Sequence, residues 1–109
     1  MTFEEYKECA MQTRKEYGDP EKEIVYYALG LAGETGEVVE HIKKHYRDGR
    51  EIDKEAIKKE LGDVLWYIAG FSHVLGFDMS EIAEANVKKL KARHGDSYSG
   101  FGNREGEGK

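Results

Sequence analysis

Cysteine and proline are almost missing from this chain, which holds one of each, Cys9 and Pro20, in 109 residues. A lone cysteine excludes an internal disulfide and leaves any zinc site to scattered histidines. Cys9 falls on the apolar side of the first helical segment, so a core thiol is expected there. A long apolar run is missing too. The longest charge-free stretch, Val64 to Phe77, is too short to span a bilayer and contains Gly70, His73 and Gly76. There is no excess of basic charge: the formal net charge is −5, which argues against a nucleic-acid polymer or an anionic membrane as partner. The early acids Glu4 and Glu5 do not fit a secretory leader, and the expectation is a soluble cytoplasmic protein. A chain of this length is one domain with a small core.

What is present reads as helix. Thr2 and Glu5 form a capping box opening a helix from Phe3 to Tyr17, with Gly18 as its stop. Asp19 caps a second helix, with Pro20 at the first helical position, where its missing N–H costs nothing; this helix runs to about Tyr46. Arg47-Asp48-Gly49-Arg50 is a turn signal. Asp53 caps a third helix ending near Gly76, and Asp78 with Glu81, or Ser80 alone, opens a fourth that runs to His94 and stops at Gly95. Ile24, Tyr27, Leu31, Val38 and Ile42, and then Ile57, Leu61, Val64, Leu65, Ile68, Phe71 and Leu75, recur at three- and four-residue steps. The predicted fold is all-α, an antiparallel bundle of about four helices completed by homo-oligomerisation, because a hairpin plus two short helices leaves apolar stripe uncovered. Residues 1–95 form the domain, and the glycine-rich segment 96–109 is expected to be a flexible tail.

Two signatures carry the chemistry: Glu34-Thr35-Gly36-Glu37 and Glu60-Leu61-Gly62-Asp63. Each sets two carboxylates three residues apart, on one helix face. The point midway between the two signatures falls between Asp48 and Gly49, inside the predicted turn. An antiparallel hairpin therefore brings the pairs level. Glu34 interrupts the apolar stripe between Leu31 and Val38, and Glu60 does the same between Ile57 and Val64. Unpaired carboxylates facing a core are costly, and a solvated ion-paired face suits Glu40, with Lys44, better than it suits these two. Gly36 and Gly62, at matching points of the signatures, let a backbone or a ligand phosphate come close; tight helix packing is the other reading.

Four convergent carboxylates call for a cation, and an all-oxygen set favours Mg²⁺, or Mn²⁺, over zinc. No histidine follows a glutamate by three, as a di-iron bundle would need; His41, four after Glu37, is read as a partly exposed helix residue. Magnesium on carboxylates completes its shell with water and substrate phosphates. Asn86, Lys89 and Arg93, on one face of the fourth helix, are the cationic and polar candidates to meet those phosphates.

At this point the chain resembles the MazG-like, all-α nucleoside triphosphate pyrophosphohydrolases. The likeness rests on Glu34-x-x-Glu37, then 22 residues, then Glu60-x-x-Asp63, with the surrounding Leu29-Gly30-Leu31-Ala32-Gly33 and Val64-Leu65-Trp66-Tyr67 and the later Asn86-x-x-Lys89-Leu90-x-x-Arg93. It covers most of positions 20 to 95. The resemblance implies cleavage between the α- and β-phosphates of a nucleoside triphosphate, giving the monophosphate and pyrophosphate. It implies that Glu34, Glu37, Glu60 and Asp63 hold Mg²⁺, that Glu37 also helps deprotonate the attacking water, that Lys89 and Arg93 neutralise phosphates and that Asn86 positions the substrate. Tyr26, Tyr27, Trp66 and Tyr67 are candidates to stack on the base. It also implies a homodimer, or a homotetramer, with the site built across subunits. The competing readings are a non-enzymatic helical interaction module and, within the same fold, a phosphoribosyl-ATP pyrophosphohydrolase.

Overall fold

A computed structural model describes residues 1–95 as four helices, α1 (Phe3–Met11), α2 (Pro20–Asp48), α3 (Lys54–Leu75) and α4 (Met79–His94), with no strand among the described residues. The segment 96–109, expected as a tail, lies outside them. Each helix starts where a side chain satisfies free backbone N–H groups. Thr2 Oγ1 accepts from the Glu5 N–H at 3.0 Å while Glu5 Oε1 accepts from the Thr2 N–H at 2.7 Å. Asp19 accepts from the Glu21 N–H and Asp53 from the Ala56 N–H, both at 3.0 Å, and the Asp78 N–H donates to Glu81 Oε1 at 2.8 Å. Gly49 and Gly76 close α2 and α3 in the left-handed region, at φ 68° and 78°.

One boundary departs from expectation. α1 ends at Met11 and not at Tyr17, because the Ala10 carbonyl is taken. It accepts from the Thr13 N–H at 3.1 Å, from Thr13 Oγ1 at 2.8 Å and from Trp66 Nε1 at 3.1 Å. The Arg14 N–H, which a continuing helix would send to Ala10, donates to the Met11 carbonyl at 3.2 Å. Trp66 Nε1 also donates to Thr13 Oγ1 at 2.9 Å. A residue on α3 thus ends α1 and fixes the start of the connection that follows.

α3 is the central helix: α2 lies antiparallel along it, and α1 and α4 pack against it and against each other. The buried residues are Ala10, Tyr27, Ala69, Gly70, Met79 and Ser72, the last donating its hydroxyl to the Ile68 carbonyl at 2.9 Å. Cys9 is exposed, a correction to the expected core thiol: the inward position at the end of α1 belongs to its neighbour Ala10. The α2–α3 seam is made by two reciprocal contacts. The Tyr27 ring occupies the space a side chain on Gly70 would need, and the Tyr67 ring does the same at Gly30. Both pairs are equidistant from the turn, so the rings pin the hairpin register; a one-turn slip along the seam would drive the Tyr27 ring into a residue that has a Cβ. The outer face of α2 has no such cover. Leu29 is 69% exposed and Val39 60%, with Val25 and Tyr46 on the same stripe and the small Ala32 and Gly36 between them. No helix among the described residues is long and apolar enough to cross a membrane.

Candidate active site

The register set by Tyr27–Gly70 and Gly30–Tyr67 continues one step toward the turn and brings Glu34 opposite Asp63 and Glu37 opposite Glu60. Glu34, Glu60 and Asp63 each offer a carboxylate oxygen, and the three lie within 4.8 Å of one another. Glu34 and Glu60 are half-buried at the seam and Asp63 is exposed. Glu37 is exposed and is not one of this group, yet its charge reaches Glu34. The Glu34 carboxyl is pushed above its usual range, first by loss of water and then by the charges of Asp63, Glu60 and Glu37. None of these acids is in the ion pairs formed among the described residues. Among the described residues, folding therefore gathers like charges without an ion-pair partner to balance them, and the donor set, all oxygen and within reach of one small ion, suits a hard divalent cation. From α1, Tyr6 faces the same site; its hydroxyl is pushed up by burial and then by Asp63. His41 is half-buried on α2 and does not join the carboxylates.

Beside the acids is a cavity of about 370 Å³. Glu34 and Asp63 line it together with Tyr26, Trp66 and Tyr67, and Thr13, Lys15 and Tyr17 of the α1–α2 connection complete it. Its aromatic rings form a chain, with centroids 5.0 Å apart for Tyr17 and Tyr26, 5.9 Å for Tyr26 and Tyr67, and 5.0 Å for Trp66 and Tyr67. The Tyr26 and Tyr67 hydroxyls are 3.4 Å apart.

Of the residues expected at the site, Trp66 and Tyr67 line this cavity, whereas Tyr27 does not. Only 1% of its surface is exposed, because packing on Gly70 makes it the centre of the hairpin core; it is not available to stack on a base. Asn86, Lys89 and Arg93 are exposed along α4 and are not among the cavity's lining residues. Thr13, Lys15 and Tyr17 line this cavity too, and the sequence reading missed them because it put them inside the first helix. A signal for them exists: no aliphatic residue occurs between Met11 and Ile24, so the apolar stripe a packed helix needs stops where α1 ends.

The MazG nucleotide pyrophosphohydrolase domain model matches residues 22–97, a stretch that includes all four acids and α3 and α4. The chain belongs to the MazG family. The Gene 37 protein of Mycobacterium phage L5 is similar to it, 34% identical over 74 residues, which are 64% of this chain and 65% of that protein. The chain thus spans just under two thirds of the curated relative's length. No solved structure matches it. The MazG match leaves Thr13, Lys15 and Tyr17 outside its span, although they share a cavity with Glu34 and Asp63.

Proposed function

We propose that this MazG protein is a Mg²⁺-dependent nucleoside triphosphate pyrophosphohydrolase, cleaving (d)NTPs to the nucleoside monophosphate and pyrophosphate in the cytoplasm, where its exposed lone thiol Cys9 stays reduced. One observation carries the reading: three carboxylates from two helices converge within 4.8 Å of one another, and two of them, Glu34 and Asp63, line a cavity faced with aromatic rings. Glu34, Glu60 and Asp63 hold the ion, with Mn²⁺ as a substitute, and Glu37 beside them completes the acidic set. When bound, the ion offsets phosphate charge and makes nearby water more acidic. Glu37, exposed and outside the convergent three, is the residue assigned in this reading to accept a proton from water. That water oxygen bonds to the α-phosphorus as the bond from that phosphorus to the bridging oxygen breaks, and pyrophosphate leaves with the bonding pair. Trp66 and Tyr67 supply apolar surface against the substrate.

Asn86, Lys89 and Arg93 join the site, in this reading, from a neighbouring copy. The assembly is a homodimer, or a dimer of dimers, formed over the apolar outer stripe of α2. Leu29 and Val39 support that surface by their exposure, and Ala32 and Gly36 allow close helix approach.

The test is pyrophosphate release by the purified protein with Mg²⁺ or Mn²⁺ over a nucleotide panel that includes phosphoribosyl-ATP. Glu37→Ala and Asp63→Ala should each lower kcat by 10²-fold or more, with circular dichroism unchanged. Undiminished turnover in either variant rejects the mechanism, and the panel separates the phosphoribosyl-ATP activity from action on (d)NTPs.

A further inference from the structure

The α1–α2 connection brings a cation to the cavity. Lys15 lines it beside Tyr17 and Tyr26 and takes part in none of the ion pairs formed among the described residues. Its neighbour Arg14 is held by Glu16 at 2.9 Å and Glu23 at 3.5 Å. The Lys15 ammonium lies close to two phenols. The Tyr26 hydroxyl is pushed up first by its hydrogen bond with Tyr67, and Tyr17 first by burial, while the Lys15 charge pulls both the other way.

The cavity has two unlike ends. Tyr26 precedes Glu34 by about 12 Å of helix, and Tyr67 follows Asp63 by about 6 Å, at 1.5 Å per residue. Because α2 and α3 are antiparallel, both displacements point away from the turn. A nucleotide with its phosphates at the carboxylates therefore extends its base toward Tyr26, Tyr67 and Lys15. Ring faces accept any base, so choice among bases must come from groups meeting the base edge. An ammonium has three donors and no acceptor: it satisfies a carbonyl oxygen and opposes an amino group.

We propose that Lys15 is a specificity-determining residue that donates to a carbonyl oxygen on the far edge of the base, so that oxo bases are preferred over their amino counterparts. The inference rests on the hydrolase reading of the site. Residues 22–97 carry the family match, so this selectivity resides in a residue outside that span and not in the acids.

The experiment uses two pairs of substrates that differ at that exocyclic group and in the proton on the ring nitrogen beside it, dUTP with dCTP and dITP with dATP, each with Mg²⁺. Wild-type kcat/KM should favour the oxo member of each pair by about tenfold or more, as sites built around a hydrogen bond do. Lys15→Met should bring both ratios within about twofold of unity, and Lys15→Arg should keep the preference. No preference in the wild type, or a preference unchanged in Lys15→Met, overturns the proposal. An equal loss on all four nucleotides in Lys15→Met also overturns it, by placing the ammonium on the phosphates. Binding of the α,β-imido analogues of dUTP and dCTP, measured in parallel, separates the two readings. If nothing is hydrolysed but the dUTP analogue binds more tightly in a Lys15-dependent way, the hydrolase reading fails and the Lys15 assignment stands. If neither analogue binds, both fail.

Discussion

Glu34 has a carboxyl held above its ordinary range because it is drawn from water and faced by Asp63, Glu60 and Glu37. The sign of the consequence follows from proton linkage. A carboxyl whose pKa is raised by folding is bound to its proton more tightly in the native state. Its ionisation therefore costs stability above the native pKa, and that cost is absent once the pH falls below the unfolded value. In EDTA, Glu34→Gln should melt a few degrees higher than wild type at pH 7, and the difference should shrink as the pH falls through the carboxylate range toward 4.5. Added Mg²⁺ should raise the wild-type melting temperature at pH 7 and do less at the acid end, where protons occupy the same oxygens. Thermal scans at two pH values, with and without the ion, decide it; equal melting of the two proteins in EDTA at pH 7 would count against a strained acidic cluster. At this scale the sequence was informative. The spacing of Glu34 and Glu60 within their apolar stripes and their level positions about Asp48–Gly49 predicted convergence, and the fold brings Glu34, Glu60 and Asp63 together. Outside the group stands Glu37, although the register that sets Glu34 opposite Asp63 also sets it opposite Glu60.

Among the elements, the α2–α3 seam is the contact on which the site geometry depends. Gly70→Ala would place a methyl group inside the Tyr27 ring, which is fully buried and has nowhere to go; destabilisation of about 1–3 kcal/mol is expected from overpacking. Gly30→Ala meets the Tyr67 ring, which is half-buried at the cavity and can swing into it. That variant should lose less stability and more activity. Urea unfolding and turnover measured on both variants test the contrast, and equal stability losses would refute it. Helix identity and three of the four helix ends were legible because caps and glycines are local signals: Asp19, Asp53, Gly49 and Gly76 act on neighbours in sequence. The end of α1 was not, since it is imposed by the Trp66 indole across 53 positions of chain. That miss hid Lys15 and Tyr17, which lie in the connection it creates.

The whole molecule buries few large side chains, and Tyr27 is the only large hydrophobic residue fully enclosed among the described residues. A hairpin this long with Leu29, Val39 and Leu61 more than half exposed offers apolar surface of the kind that the proposed assembly would cover. Val39→Glu, which puts a charge at the centre of the α2 stripe, should convert a dimer to monomer in sedimentation velocity at micromolar concentration while leaving the α2–α3 seam intact. A wild-type protein that sediments as a monomer at every concentration would dismiss the α2 interface. The sequence announced uncovered apolar stripe, but it could not say which face stays bare, because that depends on where α1 and α4 settle: α1 chooses α3, and α4 packs on α1 and α3.

That choice has an evolutionary corollary. α3 bears Glu60 and Asp63 on one side, Ala69 and Ser72 in the core, and Trp66 as the tether to α1. Few of its positions can drift without disturbing the acidic cluster, the packing or both. Lys15 and Tyr17 line the same chamber but are themselves exposed, so a lineage that reshapes the chamber has its freest room for variation there.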